Sequence, residues 1–226
     1  MKRSALLSLF LWLCLPVSKT INRINWRFGR SFCCTYSKMK QIKEHLQPGT
    51  VILTHKKYEF TTMFIPGYWT HSALVVSTDR IVEATGLGVC MNTMESFFST
   101  IDDFIVLRPR FCCQDTMKKA GEHASSLIGY PFSFDFRNAG DMFYCSGLIC
   151  WVYTQILNEK EHSGNIPNLL RKFRNGNIIK PHDLFAHQEA WQVVGGLDLN
   201  SCGIDLNPLT PSPKREGGKG FTIIVG

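Results

Sequence analysis

The stretch Thr70-His71-Ser72-Ala73-Leu74-Val75-Val76-Ser77-Thr78-Asp79-Arg80-Ile81-Val82-Glu83-Ala84 reads as a β-hairpin. Aliphatic and β-branched residues predominate in 71–76 and 81–84, and the polar run 77–80 joins them. Its register matters chemically, because His71 opens the first strand and Glu83 lies on the second. In antiparallel pairing the partners' numbers sum to a constant, and the two side chains share a face only if that constant is even. A two-residue loop at Asp79-Arg80 makes it odd. A loop centred on Thr78 makes it even, pairs Glu83 with Ala73, and sets Glu83 diagonally beside His71, within reach of long side chains. The expected hairpin has that odd-length loop.

Outward from the hairpin, short Val/Ile/Phe runs alternate with Gly and Pro. Gln47-Pro48-Gly49 is a turn signal before the strand-like run 50–54. Further strands are expected at 104–108 and 191–194, the last after a turn at 181–184. Met117, Ala120, Ala124 and Leu127 have helical spacing over 115–127, ended by Gly129-Tyr130-Pro131, and 94–100 suits a short helical turn. Leu148, Ile149, Val152, Ile156 and Leu157 place an apolar stripe on a second helix, with Cys145 at its beginning. Phe60, Phe64, Pro66, Gly67, Tyr68 and Trp69 form an aromatic stretch that can line a cleft, although its composition points to core packing. The expected class is α+β, with a folded domain over 46–195 in a chain of 226 residues.

The ends differ from that domain. Lys2-Arg3 precede an apolar run over 5–17, too short to span a bilayer comfortably, since about 20 apolar residues are needed. Residues 1–30 therefore read as a secretory signal or a membrane anchor with a basic flank, residues 31–45 as a connector, and residues 196–226 as a flexible Pro/Gly-rich tail. The expected location is exported, in the cell envelope or periplasm or anchored to a membrane, with a cytoplasmic location as the alternative. The net charge of +7 and pI near 9.0 raise the question of polyanionic partners. The cations gather at the two ends and mark no folded groove with interleaved aromatics, so no nucleic-acid partner is expected. The nine cysteines include the adjacent pairs Cys33-Cys34 and Cys112-Cys113 but no C-x-x-C, and their odd number leaves at least one thiol for another role. With His182 and His187 they lack tetrahedral ligand spacing, so neither a metal site nor a cofactor is expected.

Cys145 is where chemistry is expected. A cysteine at a helix N-terminus meets unpaired backbone N–H groups and the positive end of the helix dipole, which favour thiolate over thiol. The same N–H groups can hold the oxyanion formed when a thiolate attacks a carbonyl. Taken singly, Cys145 reads as a small buried hydrophobe, His71 as a satisfied strand-end histidine, and Glu83 as a solvated edge residue. Taken together they make a nucleophile, a base and an orienting carboxylate.

Several motifs, in order, resemble the YiiX/YebB-like group of permuted NlpC/P60 cysteine hydrolases. They are Pro48-Gly49-Thr50-Val51-Ile52-Leu53, Thr70-His71-Ser72-Ala73-Leu74-Val75, Ile81-Val82-Glu83-Ala84, Gly88-Val89, Val106-Leu107-Arg108-Pro109, Ile128-Gly129-Tyr130-Pro131-Phe132 and Tyr144-Cys145-Ser146-Gly147-Leu148-Ile149. The resemblance covers 46–194. It implies a circularly permuted papain-like fold, in which an antiparallel sheet or partial barrel packs on the helix that bears the nucleophile. It also implies a Cys-His-polar triad, here Cys145, His71 and Glu83. Tyr144 resembles a residue bordering the oxyanion site of such enzymes, though a core aromatic role fits it equally, and Ser146 and Ser72 fall in the same neighbourhood. Two departures stand out: Thr50 where relatives commonly carry an acid, and Gly147 where Glu is common.

The expected activity is that of a cysteine amidase or peptidase acting on cell-wall peptide or an N-acyl lipid, with possible membrane or cell-wall association; the sequence leaves the oligomeric state undecided. Two alternatives stand beside it. One is acyl transfer or phospholipase chemistry of the lecithin:retinol acyltransferase type, against which Tyr144-Cys145-Ser146-Gly147 stands in place of an Asn-Cys-Glu-His run. The other is a catalytically silent binding protein, against which all three triad positions are intact.

Overall fold

The structure is a computed structural model and describes residues 42–56, 65–137, 140–159 and 166–196. The expected signal or anchor segment, most of the connector, Phe60 and Phe64 of the aromatic stretch, and the C-terminal tail lie outside the described residues. A 3-10 turn at Lys43–His45 leads to β1 (Val51–His55), followed by β2 (His71–Val75), β3 (Arg80–Thr85) and β4 (Gly88–Thr93). Next come α1 (Met94–Phe98), β5 (Asp103–Pro109), α2 (Gln114–Ser126) and α3 (Cys145–Glu159). The described chain closes with α4 (Asn168–Arg174), α5 (Pro181–Ala186) and β6 (Trp191–Gly196). The strands form one antiparallel sheet in the order β4-β3-β2-β1-β5-β6.

The apolar runs of the central strands are continuous because both faces of the sheet are covered. One face presents Val51, Leu53, Leu74, Val82, Ile105 and Leu107 to α3, whose Leu148, Ile149, Val152, Tyr153 and Ile156 are buried in the same cluster. The other face presents Ile52, Ala73, Val75, Ile81, Phe104 and Val106 to Met94, Phe97 and Phe98 of α1, with Ile42 and Leu46 completing the layer. Thr93 caps α1 by accepting a hydrogen bond from the Ser96 N–H at 3.1 Å.

Four features differ from the sequence expectation. β4 is an edge strand on which Val89 is buried and Met91 exposed, so its pattern is too weak to read alone. Pro181–Ala186 is a helix rather than a turn: Pro181 occupies its first position, and the Asp183 carboxylate accepts from the Lys180 N–H at 2.8 Å. Helix α3 is buried on more than one side, from Cys145 through Cys150, because the sheet, α2, α4 and α5 all touch it. Helix α4, unassigned by the sequence reading, buries Leu169, Leu170 and Phe173 against this core.

The Pro48-Gly49 turn ties these layers together. Gly49 has φ of +86°, its N–H donates to the Val75 carbonyl at 2.8 Å, and its own carbonyl accepts from the Tyr153 hydroxyl of α3. A Cβ at Gly49 would lie 2.4 Å from the Met117 carbonyl oxygen of α2. Gly49→Ala is therefore expected to cost at least about 2 kcal/mol, combining left-handed strain with overpacking. Gly129, with φ of +93° and nothing within 4 Å of where a Cβ would stand, provides the control. Gly129→Ala is expected to cost about 1–2 kcal/mol from backbone strain alone. Urea titration measures both, with a lower midpoint and an unchanged slope expected for each.

Candidate active site

β2 and β3 pair as Ala73↔Glu83, Leu74↔Val82 and Val75↔Ile81, the register that the loop centred on Thr78 requires. Glu83 consequently sits diagonally from His71 on one face, and His71 Nε2 donates to Glu83 Oε2 at 2.5 Å. The adjoining strand supplies a residue that the sequence reading did not single out. Asn92 of β4 donates from Nδ2 to Glu83 Oε1 at 2.6 Å, so both carboxylate oxygens have donors. Ile81↔Asn92 and Glu83↔Cys90 are two rungs apart and share a face, which makes Asn92 the diagonal partner of Glu83. An Asn two residues beyond a half-buried Cys90 carries no sequence signal until the β3–β4 register is known.

The imidazole also hydrogen-bonds the Cys145 thiol, which leaves Nδ1 as the ring nitrogen facing sulfur. Cys145 is the first residue of α3 and is buried. Ser72, adjacent to His71, is fully buried and its hydroxyl has no hydrogen-bond partner of its own among the described residues, although it contributes to lowering the thiol.

Electrostatics separate Cys145 from its helix neighbour. Burial alone would raise the Cys145 pKa, but the His71 hydrogen bond and charge, with the Ser146 N–H and Ser72 assisting, bring it below the ordinary thiol value. Cys150, further along the helix, has burial and the Asp183 charge against ionisation, and its thiol is pushed far up. Burial likewise raises Cys90, with Glu83 adding to the effect. For His71, burial favours the neutral ring, yet the Cys145 and Glu83 hydrogen bonds and charges prevail and push it up to about 10. Glu83 is drawn down despite burial, chiefly by His71 and then by Asn92. These shifts favour a thiolate–imidazolium pair braced by a carboxylate over the neutral pair.

Two of the expected oxyanion neighbours have hydroxyls bonded elsewhere. The Tyr144 hydroxyl accepts from the Ile179 N–H at 3.2 Å, and the Ser146 hydroxyl donates to the Ile179 carbonyl at 2.6 Å. Both hydroxyls therefore fasten the start of α3 to the segment before α5, and Ser146 reaches the thiolate through its backbone N–H. Gly147 is explained by the same packing: a Cβ there would lie 2.5 Å from the Tyr144 ring. Thr50, the other departure from the resemblance, is buried and donates to the Gln47 carbonyl at 2.7 Å. At the other end of β1, the end nearer His71, His55 stacks on Tyr68 with ring centroids 4.4 Å apart, and the Tyr68 hydroxyl donates to Asp103. Trp69 of the aromatic stretch is wholly in the core. Among the described residues, no group of three His, Cys, Asp or Glu side chains could hold a metal ion.

Comparison with known proteins identifies the family and the fold. The model of a family described as permuted papain-like amidase enzymes, YaeF/YiiX, C92 family, matches residues 45–194. Among solved structures, the chain is similar to the metalloprotein YiiX from Escherichia coli O157:H7, at 16% identity and a TM-score of 0.51. The superposition covers 67% of this chain and 97% of that one, and at this identity it shows the fold. No curated protein matches the sequence.

The ion pair predicts the pH dependence of Cys145 alkylation. Because the thiol is lowered and the imidazolium persists to about pH 10, the alkylation rate is expected to reach its plateau below the ordinary thiol range. Glu83→Gln removes the charge that holds the imidazolium, so His71 titrates lower and Cys145 higher. The acid limb of the rate profile is expected to move up by about one pH unit, equivalent to ~1.4 kcal/mol. Asn92→Ala is expected to move it the same way by less. A Glu83→Gln limb that overlays the wild type would contradict the arrangement.

Proposed function

This chain belongs to the permuted papain-like amidase family, and on that premise we propose that it hydrolyses an amide bond through Cys145, His71 and Glu83. The observation that supports this reading most is the hydrogen-bonded series Asn92–Glu83–His71–Cys145, which runs from the sheet edge to the first residue of a helix. Such a series stabilises separated charge at neutral pH, the state a thiolate nucleophile requires.

In the first half-reaction the Cys145 thiolate attacks the amide carbonyl carbon, and the carbonyl π electrons move to oxygen. The backbone N–H groups in the first turn of α3, that of Ser146 among them, are placed to stabilise this oxyanion. Collapse expels the amine, which takes the proton from the His71 imidazolium, and leaves a thioester on Cys145. His71, now neutral, accepts a proton from water as the hydroxide oxygen attacks the thioester. The carboxylic acid departs, and its former partner Cys145 returns as thiolate beside the imidazolium. Throughout, Glu83 remains ionised and holds the ring in the one orientation that serves both steps. The substrate we propose is an acyl amide, in cell-wall peptide or in an N-acyl lipid, and an exported or membrane-anchored location suits either.

Intact-mass measurement after mixing with an activated acyl ester tests this reading. The wild type is expected to gain one acyl group on Cys145, while Cys145→Ala gains none and His71→Ala acquires it at least about a thousand-fold more slowly. Acylation that persists in Cys145→Ala would overturn the assignment.

A further inference from the structure

Apolar side chains are exposed together beside the site. Leu87, in the β3–β4 turn, is 78% exposed, Ile128 43% and Tyr130 39%. They lie on two segments joined by backbone hydrogen bonds, Val89 N–H to the Tyr130 carbonyl at 2.8 Å and Gly129 N–H to the Val89 carbonyl at 2.9 Å. The approach is close: a Cβ at Gly88 would lie 2.5 Å from the Tyr130 oxygen. Exposed Pro131 and half-buried Phe132 and Phe134 extend this surface, with the two Phe rings 4.9 Å apart.

Register places this patch at the reactive end of the sheet. Continued by two residues, the β2–β3 pairing sets Thr85 across from His71, and the turn bearing Leu87 follows directly. On the other segment, the Tyr130 ring stands 5.7 Å from Phe143, and Phe132 bridges Phe143, two residues before Cys145. The two segments that carry Leu87, Ile128 and Tyr130 therefore adjoin the strand end at His71 and the chain leading into Cys145.

The composition outside the described residues indicates which surface. Residues 1–41 contain eight Lys and Arg and no Asp or Glu, so the rest of the chain balances to within one charge. The same segment carries the apolar run over 5–17 and the interleaved Arg23, Trp26, Arg27, Phe28, Arg30 and Phe32. Apolar residues combined with clustered cations supply the two signals that hold a protein on an anionic bilayer. We propose that Leu87, Ile128 and Tyr130 form a docking surface for an anionic phospholipid bilayer, which brings the Cys145 site to an N-acyl lipid held in that bilayer. The lipid substrate rests on the hydrolase reading above; the docking surface does not.

The experiment uses the full chain and phosphatidylcholine vesicles with about one third phosphatidylglycerol. Flotation at fixed salt is expected to show at least about ten-fold weaker partition for Leu87→Asp/Ile128→Asp than for wild type. Leu87→Asp alone, at the exposed turn, is expected to lose part of that affinity and guards against misfolding of the double variant. Both variants are expected to keep the wild-type rate of Cys145 alkylation and of soluble short-chain amide hydrolysis, while hydrolysis of a vesicle-held N-acyl lipid falls at least about ten-fold. Vesicle binding equal to wild type in both variants would overturn the proposal, as would a selective loss of binding to peptidoglycan. An unactivated Cys145 combined with patch-dependent flotation would overturn the hydrolase reading and leave the docking surface standing.

Discussion

A carboxylate buried in a protein interior must be neutralised or fully partnered, and Glu83 is partnered on both oxygens. That requirement constrains much of the molecule. It needs β3 flanked by β2 and β4 in one register each, since a slip of one residue on either side would turn His71 or Asn92 to the opposite face. His71 is drawn toward its charged form by the Glu83 and Cys145 hydrogen bonds, and it in turn lowers the Cys145 thiol. Folding and the ionisation of Cys145 are thus linked through one chain of hydrogen bonds.

The remainder of the fold holds the two ends of this chain still. Helix α3 cannot shift along the sheet without breaking the Tyr153 contact to Gly49 at one point and the Tyr144 and Ser146 contacts to Ile179 at another. Gly49 and Gly147 are small where a side chain would force those contacts apart. On the opposite face, Phe97 and Phe98 pack edge to face at 5.7 Å, and Phe97 lies 6.4 Å from the His71 ring. The aromatic layer beneath the sheet therefore also limits the orientation of the histidine.

Much of this is legible in the sequence because the decisive features are local. The hairpin and its odd-length loop follow from 70–84, and the helix start at Cys145 follows from the apolar spacing after it. Together they bring His71 and Glu83 side by side, as the structure shows. What the sequence hides depends on contacts distant in the chain. Asn92 acquires its role only when an edge strand of weak pattern pairs with β3. The resemblance sets Tyr144 beside the oxyanion site while a core aromatic role fits it equally; the bonds of the Tyr144 and Ser146 hydroxyls to the segment at Ile179 stay hidden because no local rule relates positions so far apart. The short helix after Lys180 reads as a turn because its Pro and Asp suit either.

The central claim is that His71 is an imidazolium at neutral pH because Cys145 and Glu83 flank it. Nitrogen-15 NMR of histidine-labelled protein reads this directly, since the shifts of both ring nitrogens distinguish the charged ring from either neutral tautomer. At about pH 8, above the ordinary histidine range, the account predicts a doubly protonated His71 ring in the wild type that titrates near pH 10, and a neutral ring in the Cys145→Ala/Glu83→Gln protein. A neutral His71 ring in the wild type at that pH would contradict it.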